Sequence, residues 1–416
     1  MLNNILKYLD TTRERVIEIQ SALTEKIAIG PENNGVGEQE KAKFLVDTLK
    51  KLGVNDITVY DSLDPRVPSG KRPNIVAKVN LVRDTTEKVK TLWVAGHMDV
   101  VPAGELSLWS SDPFKLKVDG DYIIGRGVED NQQAITSALL ATEALLYSQQ
   151  NNNVTQTPKY NLGLLFVADE ETGNKHGIQF LLEQHAELFD KEDIFLIPDY
   201  GNNEGSDIEI AEKTQLWLKV TVLGRQCHAS TPDCGINSLK AAAACILSVD
   251  NMHKRFSKEN SLFNPTISTF SPTKKELNVE NINTIPGKDV FYIDCRIIPE
   301  TAVEDVLSEM KDLLEKTAGK YGASVNIEIV QLSPQTPSES NNSEFFLKLK
   351  KAIKNFYNVD SRAVGIGGGT VAGLLRAKGF SALVWSKLIP NPHVPNEKSR
   401  ISCNIGDAKV IVELLF

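Results

Sequence analysis

An α/β fold follows from three features of the chain: apolar β-forming runs, helical spacing between them, and a change of pattern midway. The runs NIVAKVNL (74–81), TLWVAG (91–96), NLGLLFVA (161–168) and IFLI (194–197) are apolar on both faces. Strands of that kind, alternating with helices, predict a sheet largely covered by helices. From about residue 214 polar and apolar residues alternate instead, which predicts half-exposed antiparallel strands in a separate α+β domain. At 416 residues the chain is long for one core, so two domains are expected: residues 1–213 with 334–416, and an insertion at 214–333.

Residues 13–28 and 38–52 have helical apolar spacing, and the second segment ends at Gly53, a natural C-cap. A helix is expected over 132–148, with Ile135, Ala138, Leu139, Leu145 and Leu146 on one face and Thr142 interrupting it. In the insertion, QLWLKVTVLG (215–224) and VFYIDCRII (290–298) read as strands, and 237–250 as a helix with Asn237 at its N-cap. Thr301 and Glu304 have the spacing of a capping box for a helix over 302–318 that closes at Gly319. SVNIEIVQL (324–332) alternates again, and SPQTPSESNNSE (333–344) is a return linker. Helix resumes at 345–357 and strand at SALVWSKLI (381–389). No internal repeat is present, and the low-complexity patch QQNNN (149–153) is expected to be a loop.

Hydrophobic residues make up 41% and charged residues 24%, as in an ordinary soluble globular protein. The net charge of -8 and the lack of a basic stretch argue against a nucleic-acid partner. Charges interrupt each apolar run near the amino terminus, so no signal peptide is expected, and no run reaches the roughly 20 apolar residues that span a bilayer. The five cysteines are odd in number and lack paired C-x-x-C spacing, which fits a reducing, cytoplasmic location better than a disulfide framework or zinc ribbon.

Several expected strands run out into acidic or His-containing segments. TLWVAG leads to His97 and Asp99, NLGLLFVA to Asp169-Glu170-Glu171-Thr172-Gly173, IFLI to Asp199, and SALVWSKLI to His393. Asp130 stands at the start of a helix after Gly125-Arg126-Gly127. Ligands bind beyond the carboxyl ends of strands in open α/β sheets, so these residues could converge. Imidazoles with carboxylates suit zinc or manganese, and carboxylates crowded together without a cation would repel and protonate. Three carboxylates and one hydroxide balance two divalent ions in formal charge. Each residue also has an ordinary reading: a histidine after a strand, a solvated glutamate pair, an Asp-Tyr-Gly turn, or a flexible Gly367-Gly368-Gly369-Thr370 segment that lacks the Lys of a P-loop. His176, His185 and His253 have no supporting context and read as structural.

Three ordered motifs give the pattern a family. Gly96-His97-Met98-Asp99-Val100-Val101-Pro102, Gly125-Arg126-Gly127-Val128-Glu129-Asp130 and Asp169-Glu170-Glu171-Thr172-Gly173 resemble signatures of the zinc-dependent aminoacylase and carboxypeptidase family. That family includes acetylornithine deacetylase, succinyl-diaminopimelate desuccinylase, glutamate carboxypeptidase and several dipeptidases. The resemblance covers nearly the whole chain. It implies a zinc-peptidase-like catalytic domain with a central mixed sheet, and an inserted domain serving as lid and dimer contact. It implies two Zn²⁺ ions, with Co²⁺ or Mn²⁺ as alternatives. Asp130 would bridge them, His97 and Asp199 would complete one site, and Glu171 and His393 the other. Asp99 would hold the second nitrogen of His97. Glu170 would be the general base for a metal-bound hydroxide that attacks an amide carbonyl.

In the insertion, Gly224-Arg225-Gln226-Cys227-His228-Ala229-Ser230 resembles the stretch whose histidine reaches the partner subunit's centre and stabilises the oxyanion, which implies a homodimer. Asn283 and Arg296 resemble substrate contacts, Arg296 for a carboxylate, and Gly368, Gly369 and Thr370 a substrate-binding loop. Three positions depart from the family: Asn131-Gln132-Gln133 replaces x-Lys-Gly after Asp130, Val371-Ala372 replaces the Ser-Asp that often follows the threonine, and Asp199 matches many dipeptidases and aminopeptidases where deacylases and carboxypeptidases often have Glu. The expected activity is removal of an acyl group from an N-acyl amino acid, of the desuccinylase or acetylornithine deacetylase type. A dipeptidase or carboxypeptidase with the same centre is the alternative, and a non-catalytic metal-binding relative a third reading.

Overall fold

Eight strands form the main sheet: β1 (Asp56–Leu63), β2 (Lys71–Val79), β3 (Thr91–His97), β4 (Asn161–Val167), β5 (Ile194–Asn202), β6 (Asp207–Glu212), β7 (Arg362–Ile366) and β8 (Ser381–Lys387). The structure is a computed structural model that describes residues 2–82, 88–150 and 157–416. The strand order is β1-β2-β4-β3-β5-β8-β6-β7. The inner strands β4, β3, β5 and β8 run parallel, while β1, β2 and β6 pair antiparallel to their neighbours. Parallel inner strands must be covered on both faces, and β3 is buried along its whole length. On one face, Trp93, Leu165, Phe195 and Val384 pack with Ile178, Leu181, Val371 and Leu375 of two short helices. Helix Gln132–Gln150 packs against β3, and helix Ile401–Leu414 packs against that helix.

The chain divides into two compact units: Met1–Ile210 with Glu339–Ala363 and Thr370–Phe416, and Ala211–Ser338 with Val364–Gly369. The smaller unit therefore also takes in the glycine segment, which lies outside the expected insertion. Its four-stranded antiparallel sheet has the order Thr269–Lys275, Lys288–Ile297, Thr214–Leu223, Ser324–Leu332. Leu216, Leu218, Val220, Phe291, Ile293 and Cys295 alternate onto one face and meet Val306, Met310 and Leu314 of helix Val303–Gly319. Gln215, Trp217, Asp294 and Arg296 fall on the other face by the two-residue period.

Several expectations change in detail. Gly53 does cap helix Gln39–Leu52 at φ 91°, and the Asn237 side chain does accept the Lys240 N–H. The capping box does not form: helix Val303–Gly319 starts after Ala302, so Thr301 stands one residue too early, and Gly319 is the last helical residue. Strand β5 continues past residue 197 through Pro198 and Asp199 to Asn202. It pairs with β8 as Ile197↔Val384 and then Gly201↔Ser386, so it bulges around Pro198, which has no N–H for the ladder. The 149–153 patch begins in the helix ending at Gln150, and its remainder lies outside the described residues.

Gly163 of β4 lies beside Trp93 of β3, and a methyl group there would sit 2.2 Å from the indole. Trp93 cannot retreat freely, because its Nε1–H is bonded to Asp193 at 2.9 Å. Gly163→Ala should therefore destabilise the protein by about 1–3 kcal/mol or more, read from urea unfolding midpoints.

Candidate metal centre

The carboxyl ends of the parallel strands collect the site. His97 closes β3, Asp199 sits in the β5 bulge, and Glu170 and Glu171 follow β4 after a turn at Asp169, whose φ is 62°. Asp130 precedes helix Gln132–Gln150, and His393 lies between β8 and the strand Lys398–Arg400. His97 Nε2 stands 2.9 Å from Asp130 Oδ1 and 3.6 Å from Asp199 Oδ1. His393 Nε2 stands 3.2 Å from Asp130 Oδ2 and 3.1 Å from Glu171 Oε2. The Asp130 carboxylate thus lies between the two imidazoles, one oxygen towards each. Donor atoms of His97, Glu170 and Asp199 all lie within 4.8 Å of one another, as do those of His97, Asp130 and Glu171.

Asp99 faces the second nitrogen of His97 with both its backbone carbonyl and its carboxylate. The nearer acceptor for His97 Nδ1 is the Asp99 backbone carbonyl at 3.0 Å, while the carboxylate is 3.6 Å away, beyond hydrogen-bond range. That carboxylate also accepts the N–H groups of Glu170 and Glu171 at 3.1 and 3.0 Å, holding both glutamates at the site. The carbonyl contact keeps a proton on Nδ1 and leaves Nε2 as the lone-pair donor.

Residues that the motifs do not single out brace these side chains. Glu397 accepts the N–H groups of Gly127, Glu129 and Asp130 and pairs with Arg126 at 2.7 Å, while 0% exposed. Glu129 accepts the N–H groups of Ile389 and Asn391 at 2.9 and 3.3 Å. Each glutamate therefore ties the loop bearing one of Asp130 and His393 to the loop bearing the other. Asn131, in one departing position, donates to Asp199 Oδ1 at 2.5 Å and to the Pro198 carbonyl. Gln133, in another, bonds Ser386, the Lys387 carbonyl and Asp407 inside the fold. Four residues of separation between His393 and Glu397 were the only sequence trace of the first brace.

Crowding sets the electrostatics. Burial opposes charge on His97, yet Asp130, Asp199 and Asp99 outweigh it and hold the imidazole well above its usual range. Asp130 and Glu171 push His393 up to about 10. Burial lifts Glu171 to about 7, with His393 opposing and Asp130 adding. Burial also lifts Glu170 well above the carboxylate range, opposed by His97 and reinforced by Asp199, Glu171 and Asp99. Glu171 Oε1 is buried without a hydrogen-bond partner. An orphaned carboxylate oxygen beside two imidazoles and further carboxylates is a donor set that divalent cations fit.

A family model for peptidase family M20/M25/M40 matches residues 93–416. The chain belongs to that family. Among its relatives, an uncharacterised metallohydrolase of Methanococcus maripaludis is 37% identical over 423 residues, spanning 97% of this chain and 99% of the relative. A succinyl-diaminopimelate desuccinylase of Polynucleobacter necessarius is 29% identical over 293 residues, spanning 70% and 72%. The dipeptidase Dug1p of Saccharomyces cerevisiae has the same fold, with a TM-score of 0.75 at 18% identity over 100% of this chain and 98% of that one. As an M20 member, the protein is a metal-dependent hydrolase acting on amide or peptide bonds.

The other expected site residues belong to different surroundings. His228 and Asn283 are exposed in the smaller unit, joined by the Ala229 N–H to the Asn283 carbonyl at 2.8 Å. Arg296 pairs with Asp294 at 2.7 Å, and Gly368 and Gly369 lie in the same unit. Thr370 caps helix Val371–Ala377, its hydroxyl accepting the Ala372 N–H at 3.1 Å.

Because His393 and His97 hold protons well above neutrality in the metal-free site, cations must displace them. A raised pKa means competition that weakens as pH rises. Zinc binding should therefore release protons, and its apparent affinity should climb from pH 6 through 9. Calorimetry in buffers of different ionisation enthalpy measures the release; equal heats in all buffers would contradict it.

Proposed function

We propose that the protein is a dinuclear zinc amidohydrolase that removes the acyl group from an N-acyl amino acid. The observation that carries the two-metal reading is Asp130, whose two oxygens face His97 and His393 separately. His97 and Asp199 would hold one ion and Glu171 and His393 the other, with Asp130 shared. When bound, the ions supply Lewis acidity, polarising the scissile carbonyl and acidifying a water.

Glu170 does the proton work. Its carboxylate takes a proton from the attacking water and delivers it to the leaving nitrogen as the C–N bond breaks. A carboxylate beside the attacking water can serve both halves of that cycle, as base and then as acid. Asp99 keeps the Glu170 backbone in place. In the smaller unit the Ser230 N–H donates to His228 Nδ1 at 3.1 Å, so the proton sits on Nε2, free to donate to an oxyanion. We assign His228 that task in the partner subunit's centre, with the larger unit catalytic and the smaller one serving dimer contact and lid. A cytoplasmic location belongs to the same proposal; among the described residues, no helix is long and apolar enough to cross a membrane.

The desuccinylase relative supports the deacylase reading. The second reading is a dipeptidase or carboxypeptidase with the same centre, and Asp199, a dipeptidase-like feature, supports its dipeptidase form. A panel of N-succinyl-diaminopimelate, N-acetyl amino acids and dipeptides, run with zinc, cobalt and manganese, decides between them: cleavage of peptides alone overturns the first. Glu170→Gln should lower kcat by roughly 10²–10⁴-fold while bound zinc is retained. If turnover survives that change, the proton route is wrong. Mixing Glu170→Gln with His228→Ala subunits should restore about a quarter of wild-type activity if His228 works in trans, since hybrid dimers then hold one intact centre; no recovery counts against it.

A further inference from the structure

On the helix-free face of the smaller unit's sheet, Asp294 lies opposite Trp217, and Arg296 opposite Gln215. Asp294 Oδ1 accepts Arg296 Nε–H at 2.7 Å, and Oδ2 accepts Arg296 Nη2–H at 3.0 Å and the Trp217 indole N–H at 2.7 Å. Arg296 Nη1–H is bonded to the Gly367 carbonyl at 2.8 Å. A guanidinium has five N–H donors, so these bonds leave one on each terminal nitrogen. The pair keeps partial access to solvent, Arg296 at 28% and Asp294 at 24% side-chain exposure. Gly367 and Gly368 face open space: a methyl group added at either would meet nothing within 4 Å.

We propose that Asp294 and Trp217 are positioning residues that lock Arg296 and, through Gly367, make the guanidinium and the glycine segment one carboxylate-reading element. This rests on the proposed function, in which the substrate is an amino-acid derivative with a free carboxylate. An unlocked arginine would lose its rotamer freedom only on binding; here Asp294 has already removed it, so the cost to affinity is smaller. Trp217 holds Asp294 from the neighbouring strand and so fixes the plane of the side-on pair. The two remaining N–H groups match the two oxygens of a carboxylate. Asp294 also cancels the arginine's charge, so recognition depends on hydrogen-bond direction rather than net attraction. A doubly charged group such as phosphate is disfavoured beside Asp294.

The full-length zinc-loaded enzyme tests this with two probe pairs: N-acetyl-L-leucine and L-alanyl-L-leucine, each beside its C-terminal carboxamide. Asp294→Ala should raise KM for the cleaved free acid about tenfold, leave kcat within about twofold, and leave the carboxamide's KM unchanged. Asp294→Asn should recover part of the loss, and Trp217→Phe should show a smaller rise of about threefold. Hydrogen exchange over residues 364–370 should quicken in Asp294→Ala and stay at the wild-type rate in Tyr292→Phe, a change on the same strand face that removes only the bond to Glu276. Equal KM changes for acid and carboxamide, or unchanged exchange over 364–370, overturn the proposal. Failure of the wild type on both free acids, with exchange still quickened in Asp294→Ala, overturns the functional reading and leaves the coupling of Arg296 to the glycine segment standing.

Discussion

The site depends on keeping one half-buried carboxylate charged between two imidazoles. Asp130 is surrounded by protein, which opposes its ionisation, and His393 and His97 reverse that by hydrogen bonding and charge. Such a group is held only if its backbone is held. Glu397 does this by accepting the Asp130 N–H and those of two residues before it. Without that brace the loop after Gly125 would have no reason to present Asp130 at the strand ends. Its partner Glu129 secures the loop leading to His393, so the separation of the two loops is set by two carboxylates crossing in opposite directions.

This concentration of acid has to be balanced below the site as well as within it. Arg72 is 0% exposed and joins Glu38, Asp64 and Asp169, the last of which forms the turn before Glu170. Lys41 is buried beside them, its pKa lowered to about 8 by burial while Asp99, Glu38 and Glu397 favour its charge. Buried ion pairs add little net stability over apolar packing of the same shape, but removing one partner is costly. Their arrangement therefore reads as a rigid seat for the site's carboxylates. Burial, with neighbouring carboxylates adding, is what lifts Glu170 and Glu171 above the usual carboxylate range, and His97 and His393 oppose it.

Much of the larger unit was legible because its strands are apolar on both faces and its helices end in recognisable caps, as at Gly53 and Asn237. What escaped were elements whose burial comes from partners rather than from composition. Strand β6, with the sequence DIEIAE, is wholly buried although half its residues are acidic, because Arg376 meets Glu209 at 2.9 Å. Strand β1 is an edge with a mostly half-exposed pattern, so its polar residues hid it. The capping box at Thr301 failed by a single residue, since extended Ala302 takes the N-cap position and has no side-chain oxygen to cap with.

The sequence by itself determined the chemistry: the residue types, their order along the chain, and the strand ends that carry His97, Glu170 and Glu171 were all local facts. Only the tertiary structure decided which atoms meet. It placed Asp199 in a bulge rather than a loop, gave the Asp99 carboxylate the glutamate backbone to hold as well as His97 to face, and engaged Arg296 with Asp294 and Gly367. The reason is that hydrogen-bond geometry at such a site is set by every donor and acceptor packed there, and those come from segments hundreds of residues apart, as the 267-residue separation of Asp130 and Glu397 illustrates.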